Sequence, residues 1–577
     1  MKNSWIRAVG MPVMMLMVIS GCAAPAASPT PQPAVKATAP SAAAATAGVN
    51  QPAAEKSAAG KPAAKPTTQR LVMSVLPLRD DTNDVRNVNQ PEVWSLRPMY
   101  EYLIGFDPHT GKLIPQLATE WKLEPDGASY RFMLRKGIPF HKGLGDFSAK
   151  DVVFSWKDLT QPDSTHGESG YWRNTVKDIE VVNDNEVVFR LAGPDAGFLR
   201  ALSEAEGGME MRSKAQFDAR GAPTMDTEPY AGTGPYQFKE RALGQYIRYE
   251  RVPYTHWRST PDFPEFEFRF QREASTRMAA LLAGEVQVTT LPRDLQAEVE
   301  KRGGYRVIQG KLPGFRAFLT MHCCWLNDPA DPSKGWVYPE SPLMDVKVRK
   351  ALNKAINRDE LNKAFFDGKG ERMILQNFHP TWPGWNPEWE TRYNDEYGYD
   401  PAKAKALLAE AGKPNLATEV MIVPFGGVAA AEDIAEAIAG YWTTIGVNAE
   451  RVTPDPGQLS TQRRQFKWSN AFEFRATSAG QLLGSVVYTS GLQVRGSATE
   501  SPDTEALLRQ IKVTLDETKQ EQLWRQVGDL MFEQQRAIPL FWLPAEAVVN
   551  SSVVADYDFP GSISGTWTHI DQLKAVQ

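Results

Sequence analysis

The sequence predicts a mixed α/β protein, on three observations. Short runs of alternating polar and apolar residues are closed by Asp-Gly and Lys-Gly turns, as in Ser129 to Leu134 between Asp126-Gly127 and Lys136-Gly137. Between such runs lie stretches with helical spacing that open at capping residues, Ser148 among them. An apolar content of 42%, with 16 Trp and 17 Tyr, supplies a large core with aromatic residues to spare.

The amino terminus comes before any of this. It reads MKNSWIRAVGMPVMMLMVISGCAAPAAS, with Lys2 and Arg7 as a positive head and Met11 to Ile19 as an apolar run too short for a permanent span. Residues 1–21 are expected to be an export signal. Its end, Ile19-Ser20-Gly21-Cys22, resembles the bacterial lipobox, which implies a diacylated Cys22 as the first mature residue and a location at the cell envelope on a lipid anchor. The alternative is an ordinary cleaved signal with an incidental cysteine. Residues 22–69 are almost entirely Ala, Pro, Ser, Thr, Lys, Gly and Gln, which cannot bury enough surface to recover the entropy of ordering, so a disordered tether is expected.

From residue 70 onward the chain is long enough for about two to four domains. No later segment is a continuous apolar run of spanning length. A net charge of -5 without any basic run argues against a nucleic-acid partner. The first strand is expected at Leu71 to Val75, before an Asp/Asn-rich loop. In VKVRKALNKAI the residues Val348, Leu352, Ala355 and Ile356 share one helical face, so a packing helix is expected there, with Arg349 as a cap or surface pair. Gly232, Gly234 and Pro235 read as a chain reversal, and His141 as a packed or turn histidine.

Several strings keep a familiar order: Tyr100-Glu101-x-Leu103, Pro115-x-Leu117-Ala118-x-x-Trp121, Phe132-x-Leu134-Arg135-Lys136-Gly137 and Ser148-Ala149-Lys150-Asp151-Val152-Val153-Phe154-Ser155. Gly232-Thr233-Gly234-Pro235-Tyr236, Arg277-x-x-Ala280-Leu281-Leu282-x-Gly284-Glu285-Val286 and the stretch Asp345 to Asp359 follow, then Tyr399-Asp400-Pro401 and Ala537-Ile538-Pro539-Leu540-Phe541. Together they resemble the family 5 extracellular solute-binding proteins, the dipeptide, oligopeptide and nickel class of bacterial ABC importers. The resemblance implies a two-lobed periplasmic-binding-protein fold of type II, cluster C, with an extra inserted subdomain. It places lobe I at 70–116, 229–318 and 530–577, the inserted subdomain at 117–228 and lobe II at 319–529. It also implies a small-molecule or peptide-like ligand held between the lobes, an ABC permease as partner and a monomer.

No constellation for catalysis is present: no Gly-x-Ser-x-Gly, His-Glu-x-x-His, Walker sequence or Cys-x-x-Cys, and none of the seven histidines stands four residues from another. No enzyme, cofactor or metal is expected. A binding site needs apolar and aromatic walls with a few placed charges. Candidates are Trp94 and Arg97, Trp172 and Arg173, and Trp382 and Trp385 in FHPTWPGWNPEW, each with core packing as the alternative reading. The run FRAFLTMHCCWLN crosses by resemblance from lobe to lobe, which adds His322 and Trp325 as candidates for the cleft floor.

Peptide-binding members of the family commonly carry an Asp that pairs with the peptide ammonium near the equivalent of residues 463–485. This chain has Glu473-Phe474-Arg475 there, so Phe474 and Arg475 are candidate ligand contacts, and a buried ammonium beside Arg475 would lack its counter-charge. An organic solute with an anionic group on Arg475 is expected instead of a free peptide. Cys323 and Cys324 are read as buried thiols or as a vicinal disulfide, with metal or redox roles less favoured because adjacent strand residues point to opposite faces. A capture protein for an importer is the leading function; an envelope sensor or chaperone on the same fold is the alternative, and a hydrolase is less favoured.

Overall fold

The computed structural model describes residues 68–577 except 79–80, 89–93, 108, 167, 206–207, 225–226, 330, 424–427, 429, 479–499 and 558–566. The export signal, Cys22 and almost all of the tether lie outside the described residues. No helix among the described residues is long and apolar enough to cross a membrane.

Strands and helices mix as expected. The main sheet has eleven strands. From edge to edge they are Asn448–Val452, Ala417–Met421, Ala471–Ser478, Tyr305–His322, Ala537–Asn550, Val288–Thr289, Arg70–Val75, Glu265–Phe270, Tyr246–Arg251 and Tyr236–Ala242, with Glu371–Arg372 paired to Ala537–Asn550 off this path. A separate antiparallel sheet carries Ala118–Leu123, Ser129–Leu134, Glu186–Leu191 and Val176–Asn183 in that order.

Sequence chemistry explains several elements directly. The helix Ala149–Leu159 starts where Asp151 accepts from both the backbone N–H and the hydroxyl of Ser148, satisfying the helix entrance. In the helix Val346–Lys354 the buried residues include Val348 and Leu352, as the spacing predicts, and Asp345 caps it through the Lys347 N–H. Arg349 corrects its expectation. It is neither cap nor surface pair but is buried, donating to the carbonyls of Gln534, Leu343 and Met344. An always-charged fork can be buried at modest cost when several carbonyls meet it.

Gly232 and Gly234 allow a close approach of chains rather than a simple reversal. A Cβ at Gly232 would stand 2.0 Å from the Met99 carbonyl oxygen. His141 fastens the same segment, its backbone N–H on Gly232 O and its Nε2 2.8 Å from Gly234 O. Burial pushes His141 down to about 4 and His166 down to about 3 from an ordinary 6.5. Between pH 6.5 and 4 the unfolded chain therefore binds protons at these sites that the native protein refuses, so stability falls as pH falls through that window. Urea melts across the window should show this slope, and the double substitution H141Q/H166Q should flatten it.

The apolar cores divide along the long strands. Ala317, Leu319 and Met321 pack with Ile538, Leu540, Phe541 and Leu543 in one core, whereas Ala545, Ala547 and Val549 belong to another with Leu71, Met73 and Phe268. A third core lies beneath the four-stranded sheet. Phe315 packs against both of the first two. The changeover thus falls near 315 and 544. Ile538, Leu540, Phe541 and Leu543 bury their side chains in the first core, and Ala545, Ala547 and Val549 in the second, along one continuous strand. At the changeover Pro313 faces Pro544, and the ladder is irregular from Gln309 to Phe315. Neither proline can donate a ladder hydrogen bond, so the strand pair loses both donors at this point.

Candidate functional site

The strand Ala471–Ser478 reads AFEFRATS, and a strand's period of two decides its chemistry. It pairs antiparallel with Tyr305–His322 so that Phe318 faces Arg475, Thr320 faces Glu473 and His322 faces Ala471. Phe472, Phe474 and Ala476 consequently enter the core with Ala317, Leu319 and Met321. Arg316, Phe318, Thr320, His322, Glu473 and Arg475 share the opposite face.

Glu473 is the hub of that face. Its carboxylate, 1% exposed, accepts 2.9 Å hydrogen bonds from His322 Nε2 and Arg463 Nε, and a second bond from Arg463 Nη2. Arg475 Nε stands 4.0 Å from the same carboxylate, with the side chain 23% exposed. Burial would raise the Glu473 carboxyl, but the His322 hydrogen bond and the charges of Arg475 and Arg463 outweigh it and hold it down at about 2. Burial depresses His322 despite the pull of Glu473, so the ring is neutral and donates through Nε2. Burial also lowers Arg475 against the support of Glu473. The His322 ring lies between Trp325 and Trp468, 5.8 and 5.6 Å away, and Trp325 meets Phe466 at 5.1 Å.

The structure joins Cys323 to Cys324 by a disulfide, both residues within the core that holds Ala317 and Leu319. This sets aside the reading as buried thiols. The strand ends at His322, and the bonded pair turns the chain so that Trp325 returns against the His322 ring. Alkylation of the denatured, unreduced protein should leave both cysteines unmodified, and prior reduction should expose both; labelling without reductant would contradict the bond.

A second aromatic group continues the face. Trp542, opposite Arg316 on the neighbouring strand, packs edge-on against Trp382 at 5.1 Å and meets His379 at 5.5 Å. Trp382 is half-buried there.

The remaining expected contacts lie elsewhere. Trp94 is in a core, edge-on to Phe268 at 4.9 Å. Trp172 is fully buried beneath the four-stranded sheet with its indole N–H on Gly208 O. Phe474 points into the core that holds Ala317 and Leu319, away from Arg475, because neighbouring strand residues alternate faces. These three are packing residues, as large aromatic rings in well-ordered cores usually are. Arg97 is buried with one guanidinium nitrogen on Glu204 O, Arg173 is exposed and donates to Gln161 O and Ser169 Oγ, and Trp385 packs edge-on to Trp389. Glu473, Arg463 and Arg316 were missed in the sequence. The alternation Phe-Glu-Phe-Arg contained a signal for Glu473, since it places both charges on one face. The part of the expected site from 479 to 485 lies outside the described residues.

A sheet whose two longest strands pass from one apolar core to another, with a buried charged and aromatic face beside the passage, defines a two-lobed periplasmic binding protein. The chain belongs to the bacterial extracellular solute-binding proteins, family 5, whose middle-region model matches residues 112–477, more than half of its length. It is 29% identical over 469 residues to the dipeptide-binding protein of Escherichia coli, covering 76% of this chain and 83% of that one. It is 28% identical over 485 residues to heme-binding protein A of Haemophilus influenzae, covering 77% and 82%. Among solved structures, NikA from Brucella suis in complex with Fe(III)-EDTA matches with a TM-score of 0.70 at 21% identity, over 88% of this chain and all of that one. The protein is thus a substrate-binding protein by family.

Proposed function

We propose that this protein is the lipid-anchored capture component of an ABC importer, taking an organic solute with an anionic group between its lobes and presenting it to the permease. The observation that carries the reading is the crossing pair Tyr305–His322 and Ala537–Asn550, which joins two separate cores through an irregular, proline-marked segment. Two packed bodies joined this way change their relative angle at small cost, and a solute touching both shifts the population to the closed form. A micromolar site needs only about 8 kcal/mol, which a few aromatic contacts and one charged pair supply.

The anionic preference is supported by Glu473. A free peptide's ammonium would need a carboxylate on this face, and the one beside Arg475 is already shared by His322 and Arg463. Arg475, partly exposed, favours a carboxylate through its planar fork. Relatives are named for dipeptide, heme and peptide cargo, so the family accommodates widely different solutes. The solute that copurifies with the protein can be identified by native mass spectrometry and its affinity measured by calorimetry. The substitution R475A should weaken it by about tenfold or more; unchanged affinity would remove the anionic reading.

A further inference from the structure

Away from the crossing strands, two segments distant in sequence are tied by a backbone hydrogen bond. The loop 193–197 leads into Phe198, which is fully buried in the core beneath the four-stranded sheet. Asp195 shapes this loop, its carboxylate accepting the Gly197 N–H at 2.9 Å and its carbonyl the Phe198 N–H. The Ala196 N–H between them donates at 2.9 Å to the carbonyl of Lys512, in the last turn of the helix Pro502–Val513. Carbonyls there have no partner within their own helix. Gln510 O and Ile511 O are met locally, by the hydroxyl and the N–H of Thr514, whereas Lys512 O takes its donor from the far loop. The Lys512 charge acts across the same junction. Burial raises the Asp195 carboxyl, against the pull of the Gly197 N–H and of Lys512.

The two segments belong to different packed bodies. The helix Ala149–Leu159 puts Val152 in the core of Phe198 and Phe154 in the core of Leu71 and Ala547, which makes one body of the two. The helix Pro502–Val513 buries Leu508 and Ile511 in a core with Tyr397. The Tyr397 carbonyl is held by Arg358, on the helix that buries Leu361 and Phe366 with Ala317 and Ile538, which makes the other body. These bodies are joined by the crossing strands and again at Ala196 and Lys512, neither of which is in the main sheet. A change of angle about the crossing strands breaks the second junction unless the axis of rotation runs through it. We infer that the loop 193–197 and the carboxyl end of the helix Pro502–Val513 form a clasp that holds the bodies closed and must open before solute exchanges. This rests on the reading of the crossing strands as the joint about which the bodies close. One net hydrogen bond shifts an open–closed balance by about two- to tenfold, which slows release without locking the protein.

The test is a cross-link. Residues tied by a backbone hydrogen bond lie within the Cα spacing of about 4–7 Å that a disulfide spans, so A196C/K512C should oxidise to a bridged form. Made in the full mature chain and freed of solute, the bridged form should have a smaller radius of gyration than the same protein after mild reduction. It should also release the copurified solute, followed by native mass spectrometry, about tenfold or more slowly. The unsubstituted protein given the same reductant controls for Cys323–Cys324. A196P, which deletes the donor, should release the solute about two- to tenfold faster, whereas A196G, which keeps it, should stay near the unsubstituted rate. Thermal melts check folding, and if A196P does not fold the cross-link decides alone. A bridge that forms but changes neither size nor release, a bridge that fails to form in the solute-loaded protein, or unchanged release in folded A196P would each overturn the clasp. If the unsubstituted protein compacts around solute while the bridge has no effect, closure stands and the clasp fails. If the unsubstituted protein binds solute without compacting, the closure reading beneath it fails as well.

Discussion

E473Q should destabilise the protein by about 3–5 kcal/mol, the cost of breaking a buried ion pair by removing one partner. The amide keeps the shape of Glu473 but leaves the Arg463 guanidinium, which donates twice to this carboxylate, without its counter-charge. It also turns the acceptor that orients His322 into a group that donates as well. The double variant R463Q/E473Q should recover part of the loss, because the stranded cation is removed with the anion. The pH dependence has a definite sign. The Glu473 carboxyl is held at about 2 in the folded protein against an ordinary 4.5, so its contribution is fully present above pH 4.5 and is lost as pH falls toward 2. A depression of that size corresponds to about 3 kcal/mol. Denaturant melts from pH 7 to 3 should show this loss in the native protein and its absence in E473Q.

G314A should be nearly as damaging, and for a different reason. A Cβ at Gly314 would stand 2.4 Å from the backbone nitrogen of Ala545 and 2.5 Å from its Cβ, across the crossing strands where one core gives way to the other. Backbone cannot rotate aside as a side chain can, so the strands must separate, at a cost of about 1–3 kcal/mol. The same separation falls where the lobes are joined, so ligand-dependent closure should change along with stability. G440A provides the contrast: it lies within the helix Ala431–Thr444 with nothing within 4 Å, and removing a helical glycine should be neutral or stabilising by about 0.5–1 kcal/mol. Thermal melts of both variants separate a backbone clash from a generic glycine effect.

Local patterns were readable where local physics decides them. The Ser148 cap and the apolar stripe of Val348 and Leu352 depend on residues three or four apart, and both are found as expected. The fate of tryptophans is not local: Trp94, Trp172 and Trp382 look alike in sequence, yet two fill cores and one lies half-buried beside Trp542. Arg349 was misread because its three carbonyl partners come from Leu343, Met344 and the distant Gln534. The change of core along Ala537 to Asn550 is hard to read locally, because nothing in that run marks it except Pro544. On the charged face beside the crossing strands, Arg475 stands out in the sequence by its charge, whereas the place of Glu473 needed the register with Thr320 and the return of Arg463.

On the proposed function, the protein captures its solute by closing about the crossing strands. Small-angle X-ray scattering on the mature protein, first stripped of solute by unfolding and refolding and then returned to the copurified solute, tests it most directly. The radius of gyration should be smaller with solute bound, and the change should be reduced in G314A. An identical scattering curve with and without a solute that calorimetry shows to be bound would contradict it.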